Sequence, residues 1–182
     1  MTNAGIRDHF DVVVMGAGNA AMCAALAARE HGADVLVLER AGADERGGNT
    51  AFTEGTMRVP YRGVDDLREL MPDLSDHEIA TSDFGVYNEE QFFDDMACVT
   101  QYRADPDLVG VLVRNSHSTL RWMADKGIRF APAYGRQAFK IDGVFRFSGG
   151  LTVEVWVVAP ASCSASTRSL PVRGSRFATK PR

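Results

Sequence analysis

The hydrophobic pattern divides the chain into recognisable elements. "HFDVVVM" (9–15) is an apolar, β-branched run bounded by turn residues and predicts a buried parallel strand. "NAAMCAALAAREHG" (19–32) is Ala-rich and closes on Gly32, which predicts a helix with a glycine stop. "ADVLVLER" (33–40) predicts a second buried strand, so residues 9–40 read as a βαβ unit. The stretch "RGGNTAFTEGTMRVP" (46–60) shows no clean period and reads as a long functional loop rather than a third strand.

Further along, helix signals dominate. "SDHE" (75–78) and "NEEQ" (88–91) have the form of capping boxes, the second ahead of "FFDDMACVTQY". In 105–127, Asp105 suits the N-cap, Pro106 the first helical position and Gly127 the stop. Val109, Leu112, Val113, Ser116, Leu120 and Met123 fall on one face of that helix. "IRF" (128–130) predicts a short strand, and 136–147 a hairpin turning at Asp142-Gly143. The fold class expected is therefore α/β: a Rossmann-like βαβ start, incomplete, with added helices and a β-hairpin.

Composition narrows the function classes. With 182 residues the chain suits one domain with a sizeable core. A net charge of −4 gives no electrostatic case for nucleic acid. The chain has neither a membrane-length apolar run nor a signal-peptide pattern, so a cytoplasmic protein is expected. Cys23, Cys98 and Cys163 form no CxxC, which speaks against a zinc site and a dithiol motif, and predicts reduced, mostly buried thiols. No metal site is expected.

The candidate chemistry sits in "GAGNAA" (16–21). Gly16, Gly18 and Ala21 fill GxGxxA: a tight turn, a close backbone approach to a pyrophosphate, and a small residue where helix meets strand. Glu39 ends the second strand 23 residues after Gly16, where a carboxylate can accept hydrogen bonds from an adenosine ribose. The second Gly pair, Gly47-Gly48, with Thr50 and Thr53, offers N–H groups and hydroxyls to an extended cofactor. That favours FAD over NAD, although a stand-alone NAD-binding module is a competing reading.

These stretches, with "VLVLERA", "RGGNTAFTEG" and "YGRQAFKIDGVFRFSGGLTVEVW", resemble the flavoproteins of the fumarate reductase and succinate dehydrogenase group, and within it the FAD-dependent tricarballylate dehydrogenases. The resemblance runs from about Asp11 to Trp156. It implies that Gly16, Gly18, Asn19 and Ala20 lie at the FAD pyrophosphate, Glu39 and Arg40 at the adenosine, and Gly47, Gly48, Asn49, Thr50 and Gly55 along the ribityl and flavin side. It further implies oxidation of a saturated carbon–carbon bond in a small polycarboxylic acid, with a redox partner, such as an electron-transfer protein, reoxidising the flavin. Some relatives attach FAD through a His just before the Thr of this loop. Asn49 stands there, so noncovalent FAD is expected. Disulfide reductases carry a Cys pair in the corresponding loop, and this chain has none.

A polycarboxylate needs cations. Arg58, Arg62, Arg136 and Arg146 are conceivable ligands, Arg136 first, although solvated arginines in an acidic protein explain them equally well. His117 reads as a surface residue on a mid-helix polar face, and no catalytic residue is assigned. The family's base and substrate-covering domain lie in a later half without counterpart here.

The composition breaks after Trp156. Residues 157–182 hold no acid, five basic residues, five serines and three prolines. They read as a basic disordered tail beside an FAD-binding segment over 1–156. Shifted by one base, the codons after Trp156 permit a Gly-rich turn entering an amphipathic helix. The expectation is that the tail is a frameshift product and the chain a truncated enzyme; the alternatives are a native basic tail and a non-catalytic FAD-binding remnant.

Overall fold

The computed structural model describes residues 9–147, 149–156 and 177–178. Its contacts separate two units, Met1–Glu54 with Ala161–Arg182, and Gly55–Pro160.

In the first unit, β1 (Val12–Met15), α1 (Asn19–Glu30) and β2 (Val35–Leu38) form the expected βαβ arrangement. The strands run parallel with Val12 beside Val35 and Met15 beside Leu38. Ala25 of α1 packs on Val35 and Val37, joined by Val12, Val14, Met22 and Ala28. The Ala-rich helix face lets the backbone come close to the strands. α1 ends with the Gly32 N–H donating to Arg29 O and the Ala33 N–H to Ala28 O, the paired bonds of a Schellman stop. β1 is not buried on both faces as expected. Val12 and Val14 face the helix, whereas Val13 and Met15 are 53% and 87% exposed, because α1 covers one side of the strand pair.

The second unit is built as β3 (Thr56–Arg58), α2 (Val64–Leu70), α3 (Asp76–Ala80), β4 (Ser82–Asp83), α4 (Glu89–Thr100), α5 (Pro106–Asp125), β5 (Phe130–Pro132), α6 (Tyr134–Gln137), β6 (Ala138–Ile141), β7 (Val144–Phe147) and β8 (Thr152–Val155). β8 lies between β3 and β5 and is antiparallel to both. β7 lies between β4 and β6. Within the stretch read as one loop, 46–60, residues 56–58 are thus a strand; their partner β8 lies far along the chain, so the local pattern carried no sign of the pairing.

Both capping boxes form. Ser75 and Glu78 exchange hydrogen bonds at the start of α3, as do Asn88 and Gln91 at α4. Asp105 caps α5 by accepting from the Asp107 and Leu108 N–H groups, and Pro106 occupies the first helical position. Val109, Val113, Ser116 and Leu120 are buried, but Leu112 is 45% exposed, since the face turned to the core is narrower than the apolar stripe. The hairpin turns at Asp142 and Gly143, both at positive φ, though it starts at Ala138 because 134–137 coil into α6.

The core of this unit gathers Val59, Tyr61, Leu67, Leu70, Tyr87, Val113, Phe130 and Val153, among others. The Tyr61 hydroxyl donates to Phe84 O at 2.5 Å and accepts from the Leu151 N–H at 2.7 Å. The thiols are less buried than expected: Cys98 is exposed and Cys23 half-buried, while Cys163 lies outside the described residues, as does the proposed tail apart from Phe177–Ala178, which run parallel beside Val37 and Leu38.

Candidate functional site

The glycine turn follows directly from the end of β1. Gly16 has φ +111°, a conformation L side chains rarely adopt, and its N–H donates to Leu38 O at 2.7 Å. The chain then enters α1 with Gly18 as N-cap, a residue with no side chain to satisfy the first N–H groups, and without an acid in the first turn. Such an end carries positive partial charge and donors suited to an anion.

The second glycine pair lies against this turn. The Asn19 N–H donates to Thr50 Oγ1 at 3.0 Å. A Cβ on Gly18 would lie 3.2 Å from both the Gly47 carbonyl oxygen and Thr50 Oγ1. A side chain at position 18 would thus press on the 47–50 segment, a contact the fingerprint spacing alone did not reveal. Gly48–Phe52 coil into a short 3₁₀ turn, with the Thr50 N–H bonded to Gly47 O.

Glu39 completes the cluster. Its Oε1 accepts from the Ala41 N–H at 2.8 Å. Hydrogen bonding from that group, and then from the N–H groups of Ala17, Arg40 and Gly47, outweighs a partial desolvation and lowers its pKa below the ordinary carboxylate value. Glu39 stays ionised at neutral pH and ties the glycine turn to the second loop. Ala20, Arg40 and Asn49 are exposed nearby in sequence to these groups. Gly55 belongs to the second unit, where its carbonyl accepts from the Val155 N–H.

The candidate cations in the second unit differ in setting. Arg58 is committed to structure: it donates to Asp95 at 2.7 Å and to Gly149 O at 2.8 Å, and its guanidinium lies 4.9 Å from the Tyr87 ring. Tyr87 donates to the same carboxylate, and burial first of all pushes its phenol up to about 12. Arg146 is exposed on β7. Arg62 and His117 border a cavity of about 710 Å³ with Asp66, Glu69, Glu89, Glu90 and Arg114. His117 is half-buried rather than on the surface, its Nε2 3.3 Å from Asp66 O, because α2 packs on its face of α5. Arg136 borders a different cavity, of about 320 Å³, with Thr56, Gln137 and Thr152. Those three were not singled out from sequence. Thr56 and Thr152 meet only through the β3–β8 pairing, which leaves no local signal.

Comparison with known proteins shows the family. The FAD binding domain family matches residues 11–174, and the chain belongs to it; its cofactor is FAD. The chain is 31% identical over 124 residues to a vinyl phenol reductase of Lactiplantibacillus plantarum, covering 68% of this chain and 22% of that protein. It is 32% identical over 129 residues to a urocanate reductase of Eggerthella lenta, covering 68% of this chain and 18% of the relative. A fumarate reductase (cytochrome) of Shewanella frigidimarina is 26% identical over 167 residues, 92% of this chain and 26% of its own length. The chain therefore spans about a fifth to a quarter of these curated relatives. No helix among the described residues is long and apolar enough to cross a membrane.

Proposed function

We propose that the chain is the Rossmann-like, FAD-holding segment of a flavin-dependent oxidoreductase acting on a carbon–carbon bond of a small polycarboxylic acid, tricarballylate being the specific candidate. The observation that carries the reading is the convergence, within one unit, of the α1 N-terminus with its glycine N-cap, the Gly47–Thr50 segment and the ionised Glu39. These groups fit an adenine dinucleotide: the α1 N-terminus at Gly16, Gly18, Asn19 and Ala20 for a diphosphate, a carboxylate acceptor for a ribose at Glu39 beside Arg40, and the Gly47, Gly48, Asn49 and Thr50 segment for the remaining length. When bound, FAD supplies two-electron hydride chemistry. Asn49 in place of a histidine makes the attachment noncovalent. The residues of the first unit bind and orient; none of them is assigned as acid or base.

The relatives' names favour a second direction for the same chemistry. Vinyl phenol, urocanate and fumarate reductases are all named for reducing a substrate, and urocanate and fumarate are unsaturated acids, so reduction of an unsaturated acid stands beside oxidation of a saturated one, with an electron-transfer partner on either route. A non-catalytic FAD-binding role is the remaining alternative. Titration of the purified chain with FAD, followed by flavin fluorescence and absorption, tests the binding step. Saturable one-to-one binding of FAD is expected. Binding of NAD in its place would overturn the reading. Assays with tricarballylate and an artificial acceptor, and with fumarate and a reduced donor, separate the directions.

A further inference from the structure

We infer that the exposed side of α5, with the end of α4 beside it, is the surface through which two copies of this chain pair. α5 carries two apolar stripes. Val109, Val113, Ser116 and Leu120 turn to the core. Leu108, Val111 and Leu112 turn away from it and are 68%, 62% and 45% exposed. α4 packs on α5, and its last turn and the residues after it add Val99 and Tyr102, 75% and 86% exposed. The turn that holds Tyr102 at the surface has an unusual form. Gln101 and Tyr102 both have positive φ, which residues with side chains rarely adopt, and the Tyr102 N–H bonds to Ala97 O at 2.8 Å.

Area and charge select the occupant. The five apolar side chains expose on the order of 600 Å², the upper end of what a monomer leaves uncovered and most of the ~800 Å² that each partner hides in a stable dimer. A tyrosine among aliphatic residues is also the composition of an interface centre. Asp107 and Arg114 stand on the same flank of the α5 stripe, about 10 Å apart along the helix axis. Neither has an ion-pair partner among the described residues. A twofold axis passing near Val111 sets two α5 helices antiparallel. Asp107 of each copy then comes against Arg114 of the other, while the two stripes from Leu108 to Leu112 meet. The surface is self-complementary in charge as well as apolar, and the contact closes after two copies.

Sedimentation of the full 182-residue chain tests the pairing, in reducing buffer because Cys98 is exposed. A dimer that dissociates on dilution is expected. Val111→Lys on the helix and Tyr102→Ser outside it should each keep the wild-type circular dichroism spectrum, because both side chains are exposed, and raise the dimer dissociation constant about tenfold or more. Asp107→Arg and Arg114→Asp should each weaken the dimer alone. An equimolar mixture of the two should recover it, because the mixed pair restores both opposite-charge contacts. A wild type that stays monomeric at every concentration, an oligomer that grows beyond two copies, or a dimer indifferent to Val111→Lys and Tyr102→Ser would each overturn the pairing. So would charge variants that pair as well as wild type, or a mixture that pairs no better than its components.

Discussion

Single atoms decide the behaviour of the glycine-turn cluster. Valine at position 18 would bring its Cβ to 3.2 Å from the Gly47 carbonyl and Thr50 Oγ1 before its methyl groups are counted. Gly18→Val should therefore displace the 47–50 segment, lower stability without FAD by about 1–3 kcal/mol, and weaken FAD binding about tenfold or more. Urea unfolding and flavin fluorescence measure the two effects; retained affinity would show that the close approach is dispensable. Glu39 adds a pH signature. Its folded pKa is depressed, so the stability it contributes is present above its unfolded value near 4.5 and is lost as pH falls through the lower folded value. Melting curves through the acid range should show wild type losing an increment that Glu39→Gln never had. The amide should also bind FAD more weakly at neutral pH, by about tenfold, since a charged acceptor contributes more than a neutral one. In the other unit, Tyr61→Phe would strand the Leu151 N–H and the Phe84 carbonyl inside the core. A loss of about 3 kcal/mol in urea unfolding is expected, with little effect on FAD.

At the scale of elements, the helices owe their boundaries to short-range chemistry. Asn88→Ala removes the acceptor for the Gln91 N–H and should cost about 1 kcal/mol, read as a lowered midpoint with an unchanged denaturant slope. The elements legible in the sequence are those defined this way: α1 with its glycine stop, the two capping boxes, Asp105-Pro106 ahead of α5, and the turn at Asp142-Gly143. All of these interactions close within a few residues. β3 was not legible because its hydrogen bonds run to β8, nearly a hundred residues on. The last two residues of α6, Arg136 and Gln137, were read as the start of the hairpin because Tyr134–Gln137 hold no periodic signal that outweighs the hairpin that follows.

For the whole molecule, ligand linkage gives the relevant prediction. FAD at about a hundred times its dissociation constant should stabilise the unit that binds it by about 2.7 kcal/mol, provided the unfolded chain does not bind it. Hydrogen exchange should show the added protection at 16–21, 39–41 and 47–50. Protection confined to 56–156 would mean that the dinucleotide binds elsewhere.

The sequence alone determined the glycine turn, the strand–helix–strand order around it, the acid at the end of β2 and the flavin reading, because each is written in residues close together in the chain. The tertiary structure decided what those residues touch. It set Thr50 against the Asn19 N–H, brought the 47–50 segment tight against Gly18, consumed Arg58 in an ion pair with Asp95, and placed Arg136 beside Thr56 and Thr152. Capping and turn chemistry act over a few residues and leave a local trace. Contacts between segments tens of residues apart are selected by packing and strand pairing, and a single sequence carries no pattern from which they can be read.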